Sequence, residues 1–128
     1  MKKLDVILAS YNGERYIKDQ ILSVLTCFEH VHNMECRILI SDDSSLDNTV
    51  PVLQEICNHD SRVQLLDSDK KGGVKFNFHH LMLNTDADYI FFSDQDDYWL
   101  PEKINLFLNK MMESESENPG PVLVHSDL

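Results

Sequence analysis

The chain has 128 residues and a formal charge of −11, with 42% hydrophobic and 26% charged residues. This is the length of one ordinary domain and the composition of a globular one. It excludes nucleic acid as a default partner, because phosphate contacts need clustered Lys and Arg. No apolar run approaches the roughly 20 residues of a membrane span.

The N-terminus carries Lys2 and Lys3, then only Val6, Ile7, Leu8 and Ala9 as an apolar stretch. That is too short for a signal-peptide core and reads as a first strand. The location this implies is cytoplasmic, extending to a peripheral place at the inner face of a membrane for a longer parent protein.

Three cysteines, Cys27, Cys36 and Cys57, form no C-x-x-C pair. They point to neither a disulfide framework nor a zinc site. Cys27 and Cys57 fall on apolar helix faces, where a small buried thiol is expected. The close pairs His30/His32 and His79/His80 lack metal-ligand spacing and read as surface or packing residues.

In chain order, residues 4–9 read as a strand. Residues 14–28 read as a helix, with Ile17, Ile21, Val24, Leu25 and Phe28 at helical spacing. Residues 36–41 form a second strand. Residues 48–58 form a second helix, with Val52, Leu53, Ile56 and Cys57 on one face and Pro51 in its first turn. A third strand is expected at 62–67. Gly72-Gly73 breaks the chain, and 74–84 reads as a third helix with Phe78, Leu81 and Met82 inward. Residues 89–93 read as a strand covered on both faces. A fourth helix starts at Pro101 and carries Ile104, Phe107, Leu108 and Met111. The polar stretch 113–121 reads as a turn or linker, and 122–125 as a fifth strand.

Strands alternating with helices imply right-handed crossovers and a largely parallel α/β sheet. Ligands of such sheets bind outside the carboxyl ends of the strands. Those ends here are all small, polar or acidic: Ala9-Ser10-Tyr11-Asn12-Gly13, Ser41-Asp42-Asp43-Ser44-Ser45, Asp67-Ser68-Asp69 and Ser93-Asp94-Gln95-Asp96-Asp97.

The last of these is the densest. Neighbouring carboxylates repel unless something positive sits between them. Their hard oxygens suit Mg²⁺ or Mn²⁺, and Mg²⁺ completes its shell with substrate phosphate oxygens. The plain alternative is an acidic turn capping the helix ahead of Pro101. Asp42 and Asp43 could accept hydrogen bonds from a base N–H or a ribose hydroxyl; the alternative is a solvated turn rich in capping residues. Tyr11 could stack on a base. Lys70, Lys71 and Lys75 beside Gly72-Gly73 form the one basic patch, which either faces phosphate or belongs to a flexible turn.

Taken together these segments resemble the family 2 glycosyltransferases, which have the GT-A fold. Residues 6–13 look like that family's opening strand and loop. Residues 39–49 look like its DDGSxDxT segment, with Ser44 in the usual glycine place. Residues 72–78 resemble its glycine-then-asparagine helix start. Residues 89–101 resemble the D-x-D segment of bacterial rhamnosyltransferase-like members. The resemblance implies a nucleotide-sugar-binding domain, the N-terminal part of a longer enzyme. It implies a donor site at Ala9, Ser10, Tyr11, Asn12, Asp42, Asp43, Asp94 and Gln95, and a Mg²⁺ or Mn²⁺ held by Asp94 and Asp96.

The implied reaction is transfer of a sugar from a UDP-, dTDP- or GDP-linked donor to the hydroxyl of a glycan or lipid-linked acceptor in cell-surface polysaccharide synthesis, with inversion. The family's general base lies in a later segment, beyond residue 128, so the expectation for these residues is donor binding without efficient turnover. A non-catalytic nucleotide-sugar-binding module remains an alternative. So does a receiver-type signalling domain, although its acid pair should follow the first strand and a lysine should end the fifth. A sugar nucleotidyltransferase would open with a glycine-rich basic loop, which Ala9-Ser10-Tyr11-Asn12 lacks.

Overall fold

Residues 1–94 and 97–117 are described in a computed structural model, with side chains given to residue 113. Eight elements alternate: β1 (Lys2–Ser10), α1 (Ile17–Phe28), β2 (Met34–Asp42), α2 (Thr49–His59), β3 (Val63–Leu65), α3 (Val74–Asn84), β4 (Tyr89–Ser93) and α4 (Lys103–Glu117). The strands form one parallel sheet in the order β3-β2-β1-β4.

The alternation of side chains along β1 divides the core. Leu4, Val6 and Leu8 face a large cluster with Ile17, Ile21, Val24, Leu53, Ile104, Leu108 and Met111 from α1, α2 and α4. Ile7 and Ala9 face the other side, where Leu39 and Leu81 of α3 complete a smaller cluster. Because helices cover both faces, β1 reads as an unbroken buried run from Leu4 to Ser10. Burying a side chain such as Leu or Ile contributes roughly 1.5–3 kcal/mol.

One polar contact inside the sheet lies toward the amino ends of the strands. Asp5 is 2% exposed and is held by Arg37, whose Nε donates to Oδ1 at 3.0 Å. Thr85 Oγ1 donates to Oδ2 at 2.6 Å.

Several boundaries differ from expectation. α1 begins at Ile17, not at residue 14, because Gly13 O accepts from Tyr16 N and Ile17 N in a preceding turn. β3 shrinks to three residues. α4 continues to Glu117, through part of the stretch read as a linker. That part is rich in Glu, a good helix former. Met82 is 47% exposed rather than inward. In the described sheet β4 is terminal, so Ile90 and Phe92 are only half-buried, although they pack on the α3-side cluster and Phe92 meets Phe78. Cys27 is buried, Cys36 and Cys57 half-buried, and all three are free. Burial pushes the Cys36 thiol up to about 11. The expected strand at 122–125 lies outside the described residues.

Candidate functional site

The carboxyl ends of β1 and β2 open into a cleft of about 650 Å³ lined by Ala9, Tyr11, Asp43, Leu46, Gly73 and Asn77, among others. The sheet puts β1 between the two acidic ends. Ser10 pairs in register with Asp42 of β2, and Leu8 with Ser93 of β4. At about 4.8 Å per strand step, the β2 and β4 ends are roughly 10 Å apart.

The loop after β1 is tied to the loop after β2. Asn12 has a positive φ of 47°, and its Oδ1 accepts from Leu46 N at 2.8 Å. Asn12 N donates to Ser45 Oγ at 2.9 Å, and Gly13 N to Thr49 Oγ1 at 2.8 Å. Thus Asn12 is a brace between loops. Ala9 is buried and offers the cleft only its edge, whereas Tyr11 is 49% exposed at the cleft wall.

The two aspartates after β2 divide their work. Asp42 is fully buried. It accepts from Ser10 Oγ at 2.7 Å, Ser45 Oγ at 2.6 Å and Ser45 N at 2.8 Å. Asp42 is therefore taken up in the turn, whereas Ser10, 1% exposed and bonded to Asp42, still lines the cleft.

Asp43 lines the cleft. Its Oδ1 accepts from Lys71 N at 2.5 Å and Gly72 N at 3.2 Å, and its Oδ2 from Gly73 N at 2.9 Å. These N–H groups, led by that of Lys71, hold its carboxyl below the usual carboxylate range. A carboxylate has about four acceptor positions, so roughly one remains, on Oδ2.

Gly72 and Gly73 carry φ of +91° and +125°, which L side chains rarely adopt. That backbone lets successive N–H groups converge on one carboxylate. Asn77, 1% exposed, donates from Nδ2 to Ser41 O at 2.9 Å, and its Oδ1 is buried with no partner.

The basic patch separates. Lys70 lines the cleft. Lys71 does not face it as a phosphate ligand: its side chain is 8% exposed and paired with Asp67. His80 is a packing histidine, with Nε2 2.8 Å from Asp67 Oδ2.

At the end of β4, Asp94 is exposed. Asp97 is 5% exposed and turns back; its Oδ2 accepts from Asp94 N at 3.3 Å, and its Oδ1 is buried without a partner. Gln95 and Asp96 lie outside the described residues. Among the described residues no group of three or more His, Cys, Asp or Glu side chains gathers as a metal cage.

The turn is docked on α1 by two buried polar side chains. Gln20 Nε2 donates to Ser93 Oγ at 3.0 Å and to Asp94 O. Ser23 Oγ accepts from Trp99 N at 3.0 Å. Sequence reading missed both, although polar residues interleaved with Ile17, Ile21 and Val24 on an apolar helix face were the available signal.

The glycosyl transferase family 2 model matches residues 5–126. The chain is 39% identical over 102 residues to the dTDP-rhamnosyl transferase RfbG of Shigella flexneri, covering 76% of this chain and 34% of that protein. It is 31% identical over 111 residues to an Escherichia coli UDP-Glc:alpha-D-GlcNAc-diphosphoundecaprenol beta-1,3-glucosyltransferase, covering 87% and 42% respectively. The structure of Staphylococcus aureus TarS 1–349 in complex with UDP superposes with a TM-score of 0.68 at 26% identity, over 88% of this chain and 33% of that one. The chain thus spans well under half the length of these curated relatives. The architecture is the expected GT-A type. Among the described residues no helix is long and apolar enough to cross a membrane. On the family match, the chain belongs to glycosyl transferase family 2.

Proposed function

We propose that the chain binds the nucleotide-diphospho-sugar donor of an inverting sugar transfer in bacterial cell-surface polysaccharide synthesis. The observation that carries this reading is Asp43: a cleft-lining carboxylate, fixed by three backbone N–H groups, with about one acceptor position left for a ligand. A pyrimidine-dione or guanine base presents a ring N–H that suits it. Tyr11 supplies an exposed ring at the same wall. UDP and UDP-GlcNAc complexes of TarS support a ligand of this class. Relatives named for dTDP- and UDP-linked sugars keep both bases in view, and a GDP-linked donor meets the same Asp43 chemistry. A lipid-linked acceptor is supported by the undecaprenol in a relative's name.

Across β1, Asp94 is exposed and Asp97 keeps an orphaned carboxylate oxygen. This all-oxygen donor set fits Mg²⁺ or Mn²⁺, which needs only one or two protein carboxylates when phosphates complete the shell. In this reading Asp94 and Asp96 hold the ion, and Gln95 lies against the donor. When bound, the ion neutralises charge on the departing diphosphate. The chain's own residues orient the donor: Asp43 and Tyr11 grip the base, and Gln20 and Ser23 seat the acidic turn. The group that deprotonates the acceptor is not among the residues assigned here.

The test is to titrate the ¹⁵N-labelled chain with UDP and with dTDP. Amide shifts concentrated at Tyr11, Asp43, Gly72 and Gly73 support the reading; shifts elsewhere, or none at millimolar nucleotide, defeat it.

A further inference from the structure

We propose that Lys71 is a positioning residue: its buried ammonium pins the 71–73 segment across the ends of β2 and β3 and so sets the acceptor geometry of Asp43. This rests on the reading of Asp43 as the group that receives the base.

A lysine beside a diglycine ordinarily sends its charged head to water. Lys71 does the reverse. Its Nζ donates to Asp42 O at 3.0 Å and to the Asp67 carboxylate, whose second oxygen is 2.8 Å from His80 Nε2. Asp42 N in turn donates to Asp67 O at 3.1 Å. One ammonium therefore grips a joint between two strand ends.

The segment it holds has few other restraints. A Cβ built at Gly72 or Gly73 meets nothing within 4 Å, and both glycines are exposed. What fixes them is the set of bonds to Asp43, the Lys71 side chain and, at Gly73, a carbonyl that accepts from Asn77 N at 3.0 Å in the first turn of α3. Stability alone is a weak reason to bury an ammonium, since its desolvation cost is large and pairing offsets it only in part. Placing the N–H groups that orient Asp43 is the stronger reason.

The geometry gives a clean test. A substitution at residue 71 changes the side chain and leaves the backbone N–H in place. Because the Lys71 charge by itself also lowers the Asp43 carboxyl, movement of the segment is read from amide exchange at Gly72 and Gly73, and the titration accompanies it. Three quantities are to be measured on Lys71→Met and on Asp67→Asn: the ¹³C carboxyl titration of Asp43 without nucleotide, amide exchange at Gly72 and Gly73, and UDP affinity.

The expected result for Lys71→Met is a rise of the Asp43 titration toward the ordinary carboxylate range and about tenfold faster exchange at both glycines. UDP affinity should fall about tenfold. Asp67→Asn, which keeps the volume but removes the ion pair, should move all three in the same direction by less. It carries the measurement if Lys71→Met does not fold. A folded Lys71→Met variant with wild-type amide exchange at Gly72 and Gly73 overturns the proposal, whatever its Asp43 titration. Wild-type protein that binds no UDP overturns the nucleotide reading instead, while exchange at Gly72 and Gly73 still decides whether Lys71 pins the segment.

Discussion

Asp42 and Asp43 are adjacent, yet one carboxylate is sealed in the turn and the other lines the cleft. Asp42 holds Ser10 and Ser45; Asp43 collects the N–H groups of 71–73. Their substitutions should therefore fail differently. Asp42→Asn keeps one oxygen for the Ser10 and Ser45 hydroxyls but sets an amide donor against Ser45 N, and is expected to cost about 1–3 kcal/mol of stability. Asp43→Asn is expected to cost about tenfold in nucleotide affinity, because the amide presents a donor where the base also presents one. Urea unfolding and nucleotide titration on both variants check this. Equal behaviour of the two contradicts it.

Ser44 sits at φ 55° with an exposed side chain, in a place where the family usually has glycine. The left-handed region costs an L residue roughly 1–2 kcal/mol. Glycine removes that cost but loses about 0.5–1 kcal/mol through unfolded-chain entropy. Ser44→Gly is expected to stabilise by about 0.5 kcal/mol, read as a higher urea midpoint at unchanged slope.

Arg37 is the main partner of buried Asp5, and its own side chain is 27% exposed. Fully buried pairs lose about 3–5 kcal/mol when one partner is removed. Partial exposure of the arginine reduces this, so Arg37→Leu is expected to cost about 2 kcal/mol. Nucleotide binding should be unchanged, since the pair lies well away from the cleft. Thermal unfolding together with titration tests both halves of that statement.

Acid should destabilise the fold through specific carboxylates. Asp43 is held low by the Lys71 N–H, and Asp60 by the Arg62 guanidinium. At Asp67 burial raises the carboxyl, but Lys71, Asp69 N–H and His80 together lower it. Folded pKa values below the unfolded value near 3.8 mean that their stability is present above that value. It is lost as pH falls through the lower folded values. Stability should thus be flat in this contribution at neutral pH and drop below about pH 4. Denaturation curves from pH 6 to pH 2 measure it.

The element order was legible because apolar periodicity is strong in Ile17, Ile21, Val24 and Phe28, and in the unbroken β1 run. The start of α1 was not, since Glu14 and Arg15 are good helix formers and only the Gly13 turn excludes them from the helix. The strand-end rule pointed to Tyr11 and Asp43, and both line the cleft. It could not separate Asp42 from Asp43, because which carboxylate is buried depends on Ser10 and Ser45 closing around it. Lys71 read as basic surface, since its burial is created by Asp67, a partner from the end of another strand. The metal assignment of Asp94 and Asp96 still rests on the resemblance and on the donor chemistry of the turn.

Calorimetric titration of UDP, dTDP and GDP, and of their sugar conjugates, with and without Mn²⁺, tests the central claim most directly. The account predicts nucleotide binding with a metal-dependent part. Asp94→Ala or Asp96→Ala should remove that part, and Asp43→Asn should weaken what remains. Binding that is indifferent to Mn²⁺ and to all three substitutions, or no binding by the wild-type chain, contradicts it.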